Sequence, residues 1–377
     1  MTATSITTRL ADEVLTTMKR DFVGKDEIID LLGICLIGGE NLFILGPPGT
    51  AKTALVHQLA ARLEGRTFDY LLTRFTEPNE LFGPFDIRKL REGELETNTE
   101  GMLPEASLVF LDELLNANSA ILNSLLVALN ERLFRRGKET RKLAALMFVG
   151  ASNHLPEDDA LNALFDRFLL RVHCDNVPDE RLSDVLTAGW KLATSTPPKS
   201  PLSFEDLRVA QSALGDVDLS MVRKPFSALV LRIRHAGIPV SDRRAVKLQR
   251  VIAASALLCG RNEGRLSDMW VLRHIWDTEE QREVLASLVE QAIAKQEPTA
   301  GDHPRARASE GPDAEALARD LESLEVSLKN GGMPEAEKAC LRDRLGVLEG
   351  RCQWIKDETR RDWLTKRLAD LWPLVKV

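Results

Sequence analysis

An apolar run, Leu42-Phe-Ile-Leu45, passes directly into Gly46-Pro-Pro-Gly-Thr-Ala-Lys-Thr53 and then into an apolar-periodic stretch beginning at Ala54. The succession reads as a strand, a glycine-containing turn and a helix N-terminus. It constrains the fold more than any other part of the chain, because a strand feeding a helix in this way belongs to a helix-covered parallel sheet. Gly46, Pro47, Pro48, Gly49, Thr50 and Ala51 would form a loop whose inward N–H groups cradle a phosphate, aided by the positive end of the helix dipole. Lys52 would reach the β and γ phosphates of a nucleotide, and the Thr53 hydroxyl would ligate Mg²⁺. Ala51 stands where the strict pattern G-x-x-x-x-G-K-[ST] has its last glycine, and a helical conformation there would accommodate it.

The rest of the first half fits the same architecture. Short apolar runs at 42 to 45, 68 to 72, 108 to 111, 146 to 150 and 169 to 172 alternate with amphipathic segments, which predicts parallel strands covered by helices over residues 1–190. Residues 194 to 202, Thr-Ser-Thr-Pro-Pro-Lys-Ser-Pro-Leu, read as a proline-rich hinge. Beyond it residues 191–295 read as an all-α unit, residues 296–313 as a mobile linker without apolar periodicity, and residues 314–377 as a helical hairpin or small bundle. The last assignment rests on Leu317, Leu321, Leu324 and Leu328, then Leu341, Leu345 and Leu348, spaced as apolar helix stripes around the breaker Asn330-Gly-Gly-Met-Pro334.

Charge and apolar patterning exclude some classes. A net charge of -7 over 377 residues argues against a nucleic-acid partner recognised through a global basic surface. No apolar stretch approaches the ~18 residues of a membrane span, and Met1-Thr-Ala-Thr-Ser-Ile-Thr-Thr-Arg lacks a signal-peptide core, so a cytoplasmic location is expected. Five scattered cysteines without C-x-x-C spacing read as small buried hydrophobes in a reducing compartment.

Several polar residues fall at the ends of the strand candidates. The run Leu108-Val-Phe-Leu111 ends in Asp112-Glu113. Beside a phosphate loop, Asp112 can hold the Mg²⁺ hydration shell and Glu113 can polarise the attacking water; away from one, such a pair would simply favour a helix dipole. Asn153 follows Val149-Gly-Ala-Ser at a carboxyl edge of the sheet, where α/β nucleotide sites lie, and can orient a water or touch the γ-phosphate; an Asn there also suits a turn. Arg167 ends the short helix candidate Leu161-Asn-Ala-Leu-Phe-Asp-Arg, a place where a lone Arg is commonly a surface ion-pair former.

Taken together these pieces resemble an AAA+ ATPase of the MoxR family, in its RavA-like branch. The resemblance is carried by Gly46 to Thr53, by Phe110-Leu-Asp-Glu113 with the following Ile121-Leu-Asn-Ser-Leu-Leu-Val-Ala-Leu-Asn-Glu131, by Ala151-Ser-Asn153 with Leu155-Pro156, and by Asp166-Arg-Phe168. Leu72-Thr-Arg-Phe-Thr-Glu-Pro-Asn-Glu-Leu-Phe-Gly-Pro84 looks RavA-like in particular, and so does Val240-Ser-Asp-Arg-Arg244. The resemblance implies an αβα parallel-sheet core, an all-α lid and a hexameric ring with ATP between subunits. It makes Asn153 the first sensor and Arg167 a finger toward the neighbouring subunit's γ-phosphate, oriented by Asp166. The second-sensor arginine falls in Val240-Ser-Asp-Arg-Arg244, with Arg243 preferred and Arg244 in reserve. Val23 and Gly24 resemble the segment that packs on adenine.

The resemblance also implies two elements facing a ring pore, one over residues 83 to 103 and a hairpin over 132 to 142. The hairpin holds six basic residues in eleven, which reads either as a nucleic-acid or acidic-partner contact or as a solvated hairpin of alternating charges. The expected function is ATP-driven remodelling of a partner protein, with a von Willebrand factor A domain partner common in this family. An ATP-gated switch with slow hydrolysis and a DNA-directed machine are the alternatives. Residues 296 to 377 offer no strand-rich segment like the compact β-rich domain of RavA-like proteins.

Overall fold

Leu42–Leu45 (β1) is buried at every position, which is what a strand with a neighbour on each side and helices on both faces requires. It lies inside a parallel sheet, one strand in from an edge. Together with β2 (Thr67–Leu71), β3 (Leu108–Asp112), β6 (Met147–Ser152) and β7 (Leu170–His173) it forms a five-stranded sheet in the order β2-β3-β6-β1-β7. The register sets Leu45 beside Ser152 of β6 and His173 of β7, so the carboxyl ends of the three strands make one edge. Between β3 and β6 a separate antiparallel hairpin pairs β4 (Leu133–Arg136) with β5 (Glu139–Lys142). The expected strands are found within one or two residues of their sequence positions. The computed structural model describes residues 2–92, 96–136, 138–194, 200, 202–297, 299–306 and 358–375, with 317, 318, 321, 322, 324, 325, 341, 342, 345, 346, 348, 349, 352 and 355.

Helices Asp26–Gly38, Lys52–Arg62, Ser119–Glu131 and Asp159–Phe165 cover the sheet. Ser220–His235, Asp242–Leu258 and Gln281–Ile293 build the all-α unit, with no named strand among its described residues, whereas Phe204–Ser212, expected to belong to it, packs on Ala3–Arg9 and Asp26–Gly38, with Gln211 Nε2 donating to Leu36 O at 2.6 Å and Arg208 Nη2 to Ala144 O at 2.7 Å. The two parts share one buried core. An N-terminal helical stretch, Ala3–Arg9 continued through a π-helical turn at Leu10–Leu15 and on to Thr16–Asp21, ties them: the Thr7 hydroxyl donates to Leu257 O at 2.9 Å, and Ile6, Leu10 and Val14 are buried.

Most of the hinge (195–199 and 201) and parts of the linker (298 and 307–313) lie outside the described residues. Residues 299–306 depart from the expected mobile linker. His303 stacks on Trp270 with ring centroids 4.7 Å apart, Arg305 meets Asp26 at 3.2 Å and Asp30 at 3.3 Å, and Arg273 donates to the carbonyls of Arg305 and Ala306. Polar and aromatic anchoring of this kind has no apolar period, so hydropathy alone could not show it. In the C-terminal region Leu317, Leu321, Leu324, Leu341, Leu345 and Leu348 pack with Leu364, Leu368 and Leu371 of helix Glu358–Val375 in a cluster of their own.

Candidate functional site

The loop after β1 is shaped by what lies beneath it. A Cβ on Gly46 would stand 2.3 Å from Cys174 O, so the close approach of the chain leaving β7 admits only glycine. The Gly46 N–H donates to Ser152 O at 3.1 Å, Thr50 Oγ1 donates to Pro47 O at 2.9 Å, and Cys174 Sγ donates to Thr50 O at 3.1 Å. Lys52 is almost fully buried, its Nζ held 2.7 Å from Gly46 O and 3.0 Å from Pro47 O. Ala51, the N-cap of helix Lys52–Arg62, sits at φ 72°, ψ 21°. This corrects the sequence expectation of a helical alanine: the backbone keeps the left-handed turn that the glycine of the strict pattern supplies, and alanine bears the strain. No side chain caps this helix, leaving its first amides to an anion at the positive end of the dipole.

The Thr53 hydroxyl donates to Asp112 Oδ2 at 2.8 Å, and the Glu113 N–H donates to Asp112 Oδ1 at 3.0 Å. A hydroxyl and a carboxylate side by side are the hard oxygen donors that a magnesium ion takes, so the residues present fit a Mg²⁺–phosphate pair. Glu113 adopts φ 50°, ψ 42°, a conformation costly for a residue with a Cβ. Asn153 follows Ser152, the partner of Leu45 in the β1–β6 register, and is exposed at the same edge as the loop. Gly24, at φ 72°, also belongs to this edge, since its Cβ position is 2.8 Å from Val177 Cγ1 and 3.8 Å from Arg181 Nη1 in the segment after β7. Lys25 donates to Asp175 O there, a contact that no motif signals.

The predicted arginines lie at the other edge. Arg167 O accepts from Asn41 Nδ2 at 2.9 Å, and Asn41 immediately precedes β1, so Arg167 sits at the amino ends of the strands. Its Nη1 meets Asp166 Oδ2 at 3.4 Å, the orienting contact the resemblance implies. The four residues of β1, at ~3.3 Å each, put about 13 Å between this arginine and the loop, further than its side chain reaches. Arg243 Nη2 touches Asn130 Oδ1 at 3.2 Å, near the end of helix Ser119–Glu131 that returns to the amino edge. Arg244 is buried and faces Asp277 at 3.3 Å and Ile275 O at 2.6 Å. Neither candidate second sensor therefore approaches the loop of its own chain, a correction to any reading that gathers all the site residues in one subunit. The structure brings Lys52, Thr53, Asp112 and Glu113 together and keeps Arg167 and Arg243 apart from them.

Sequence reasoning passed over Arg171. It is fully buried on β7, 2.8 Å from Asp277 and from Trp276 O, with its guanidinium 4.3 Å from the Phe165 ring centroid. Burial, with the nearby Arg244, pulls its pKa down to about 9 despite Asp277. An arginine inside the apolar run Leu169-Leu-Arg-Val172 was the available signal.

The basic hairpin is largely engaged within the chain. Arg132 is half-buried and packs over Phe148, Arg135 pairs with Glu131 at 2.7 Å, Arg136 stacks on Phe85 at 3.8 Å, and Arg141 meets Glu96 at 2.6 Å. The solvated-hairpin reading accounts for these residues without a nucleic acid.

Known proteins are similar to this chain in sequence and fold. A family model described as the MoxR domain in MoxR-vWA-β-propeller ternary systems matches residues 8–211, and an AAA lid domain model matches residues 220–289. Two uncharacterised proteins of Methanocaldococcus jannaschii are 36% and 35% identical over 258 and 257 residues, covering 68% of this chain and 67% and 68% of their own lengths. The chaperone MoxR1 of Mycobacterium tuberculosis is 26% identical over 196 residues, half of each chain. A crystal structure of a candidate ATPase from Cytophaga hutchinsonii superposes with a TM-score of 0.64 at 20% identity, covering 79% of this chain and 97% of that one. No helix among the described residues is long and apolar enough to cross a membrane.

Proposed function

The chain belongs to the MoxR family of AAA+ ATPases, and we propose that it hydrolyses ATP at a site completed by a neighbouring copy and uses the cycle to remodel a partner protein. One observation carries the reading: the phosphate loop and the arginines stand at opposite edges of one sheet. A head-to-tail neighbour is then needed to supply the missing cations, and a heterologous contact that closes gives a ring, hexameric in this reading.

The roles follow from position. The loop amides and Lys52 bind the β and γ phosphates, and Val23 with Gly24 flanks the base. Thr53 and Asp112 hold Mg²⁺, which when bound neutralises phosphate charge. Glu113 accepts the proton of the attacking water, and Asn153 orients that water or the γ-phosphate. Arg167 and Arg243 of the next copy meet the charge that develops on the transferred group. A planar, always ionised guanidinium suits this task, and such an arginine is worth ~10³ to 10⁵ in rate.

The description of the matching family model names a von Willebrand factor A protein, and we take a protein of that class as the partner. The chaperone named among the relatives supports a protein substrate. The RavA-like placement rests on residues 72 to 84 and 240 to 244, and a cytoplasmic location agrees with a soluble ring.

The test is turnover per chain against protein concentration, with Glu113→Gln alongside. Hydrolysis should rise as copies meet, and Glu113→Gln should bind ATP while turning over ~10² to 10⁴-fold more slowly. Turnover per chain independent of concentration, down to where only monomers exist, would refute the composite site.

A further inference from the structure

Helix Leu182–Thr194 has two faces. Val185, Ala188 and Leu192 turn toward the protein, whereas Leu182, Leu186 and Trp190, at i, i+4 and i+8, are 53%, 66% and 76% exposed. They form one apolar stripe ~12 Å long. The helix begins just after Val177 and Arg181, which lie against Gly24 at the phosphate-loop edge.

A groove on the helical lid has complementary character. Phe226, Val230 and Leu231 of Ser220–His235 and Ala245 and Val246 of Asp242–Leu258 line about 510 Å³, with Arg223 at the rim. Leu231 and Val246 remain 50% and 64% exposed. The groove is built on the first turns of the helix whose Arg243 meets Asn130 and whose Lys247 meets Glu40 at 2.8 Å, both at the amino edge of the sheet.

Stripe and groove are thus disposed as the phosphate loop and Arg167 are, one toward each edge. We propose that the stripe of one copy seats in the lid groove of the next, with Trp190 as its anchor. The inference rests on the composite site, because the head-to-tail step that carries Arg167 to a neighbouring loop also carries the lid groove toward that neighbour's stripe. Charge permits the pairing: Asp184, 4.0 Å from Arg181, flanks the stripe, and Arg223 lines the groove with Arg234 and Asp242, which pair with each other at 2.7 Å. The groove lies within the size range of pockets that bury large ligands, and a Trp offers 150–250 Å² of surface at a cost of two rotatable bonds, by order of magnitude ~30-fold in affinity for a central anchor. The contact adds grip and couples the lid of one copy to the core of the next.

Sedimentation with ATP tests it, using Trp190→Glu and Val246→Glu separately and mixed. Both positions are exposed, so each chain should keep its fold and its monomeric ATP affinity. Each should need about thirtyfold or more protein to assemble. An equimolar mixture should give pairs, since one intact stripe then meets one intact groove. Assembly of either variant at the concentration of the unmodified chain overturns the docking. If that happens while Arg167→Ala still abolishes turnover, the composite site survives without the stripe contact. If the unmodified chain never assembles and Arg167→Ala leaves turnover intact, both inferences fall.

Discussion

Mixing two inactive chains discriminates between a site contained in one copy and a site divided between two. Arg167→Ala leaves the loop, Asp112 and Glu113 untouched, because Arg167, whose backbone O accepts from Asn41 Nδ2, lies at the far edge of the sheet, about 13 Å of strand away. Glu113→Gln leaves Arg167 untouched for the same reason. Alone, the first should lose ~10³-fold or more in turnover and the second ~10²-fold or more, each still binding ATP. In a random equimolar ring, the contact in which an Arg167→Ala chain supplies the loop and a Glu113→Gln chain supplies the arginine arises at about one interface in four. That interface has every group in place. The mixture should therefore recover up to about a quarter of unmodified turnover, measured as phosphate release at a concentration where the unmodified chain is assembled. A double variant carrying both changes on one chain, mixed with nothing, should recover none. Turnover of the mixture no greater than the mean of the two separate variants would refute the division of the site, provided that both co-sediment.

Ala51→Gly should raise the urea midpoint, because alanine at φ 72° costs about 1–2 kcal/mol and glycine returns about 0.4–1 kcal/mol through the unfolded chain; a lower midpoint would show that the turn is not strained. Arg171→Met should lower stability by about 3 kcal/mol in urea titration, since three carbonyls lose a buried donor, with relief from Arg244 offsetting part of the loss; an unchanged midpoint would overturn the account. His303 has its pKa pushed down to about 3, chiefly by burial against Trp270, so the unfolded chain binds a proton more readily than the folded one. Its contribution is complete above the ordinary value of about 6.5 and is lost as pH falls toward 3, about 2 kcal/mol by pH 5; the hydrogen-exchange protection of residues 299–306, taken relative to the intrinsic rate at each pH, should fall with acid, and His303→Gln should flatten that dependence.

The sheet was legible because its strands are continuous apolar runs bounded by turns, and the loop because glycine, lysine and threonine have a mechanical reason for their spacing. Asp112 and Glu113 follow from the same logic, as polar residues where a buried strand reaches the ligand edge. What escaped was held by contacts without a period. The docking of residues 299–306 depends on one imidazole, one indole and a few backbone carbonyls, and Arg171 sits inside an apolar strand because Asp277 and carbonyls far along the chain satisfy it. Ala51 illustrates a subtler limit. Its identity suggested that the backbone would relax to suit alanine, whereas the neighbours fix the turn and the residue accepts it.

The second sensor shows why a residue's role depends on docking as well as on motif. Arg243 and Arg244 are adjacent on one helix, so ~100° of rotation separates their side chains, and no local pattern decides between them. The structure distributes them by environment: Arg244 is buried against Asp277 and Ile275 O, work that stabilises the lid on the core, while Arg243 remains exposed beside Asn130 at the edge that Arg167 also occupies. An arginine already committed to a buried carboxylate would have to break that pair to meet a phosphate, at a cost of several kcal/mol, whereas an exposed one gives up little. In the proposed ring Arg243 is therefore the one expected to reach across an interface, and Arg243→Ala should slow turnover in assembled rings without lowering the stability of the single chain, while Arg244→Ala should do the reverse.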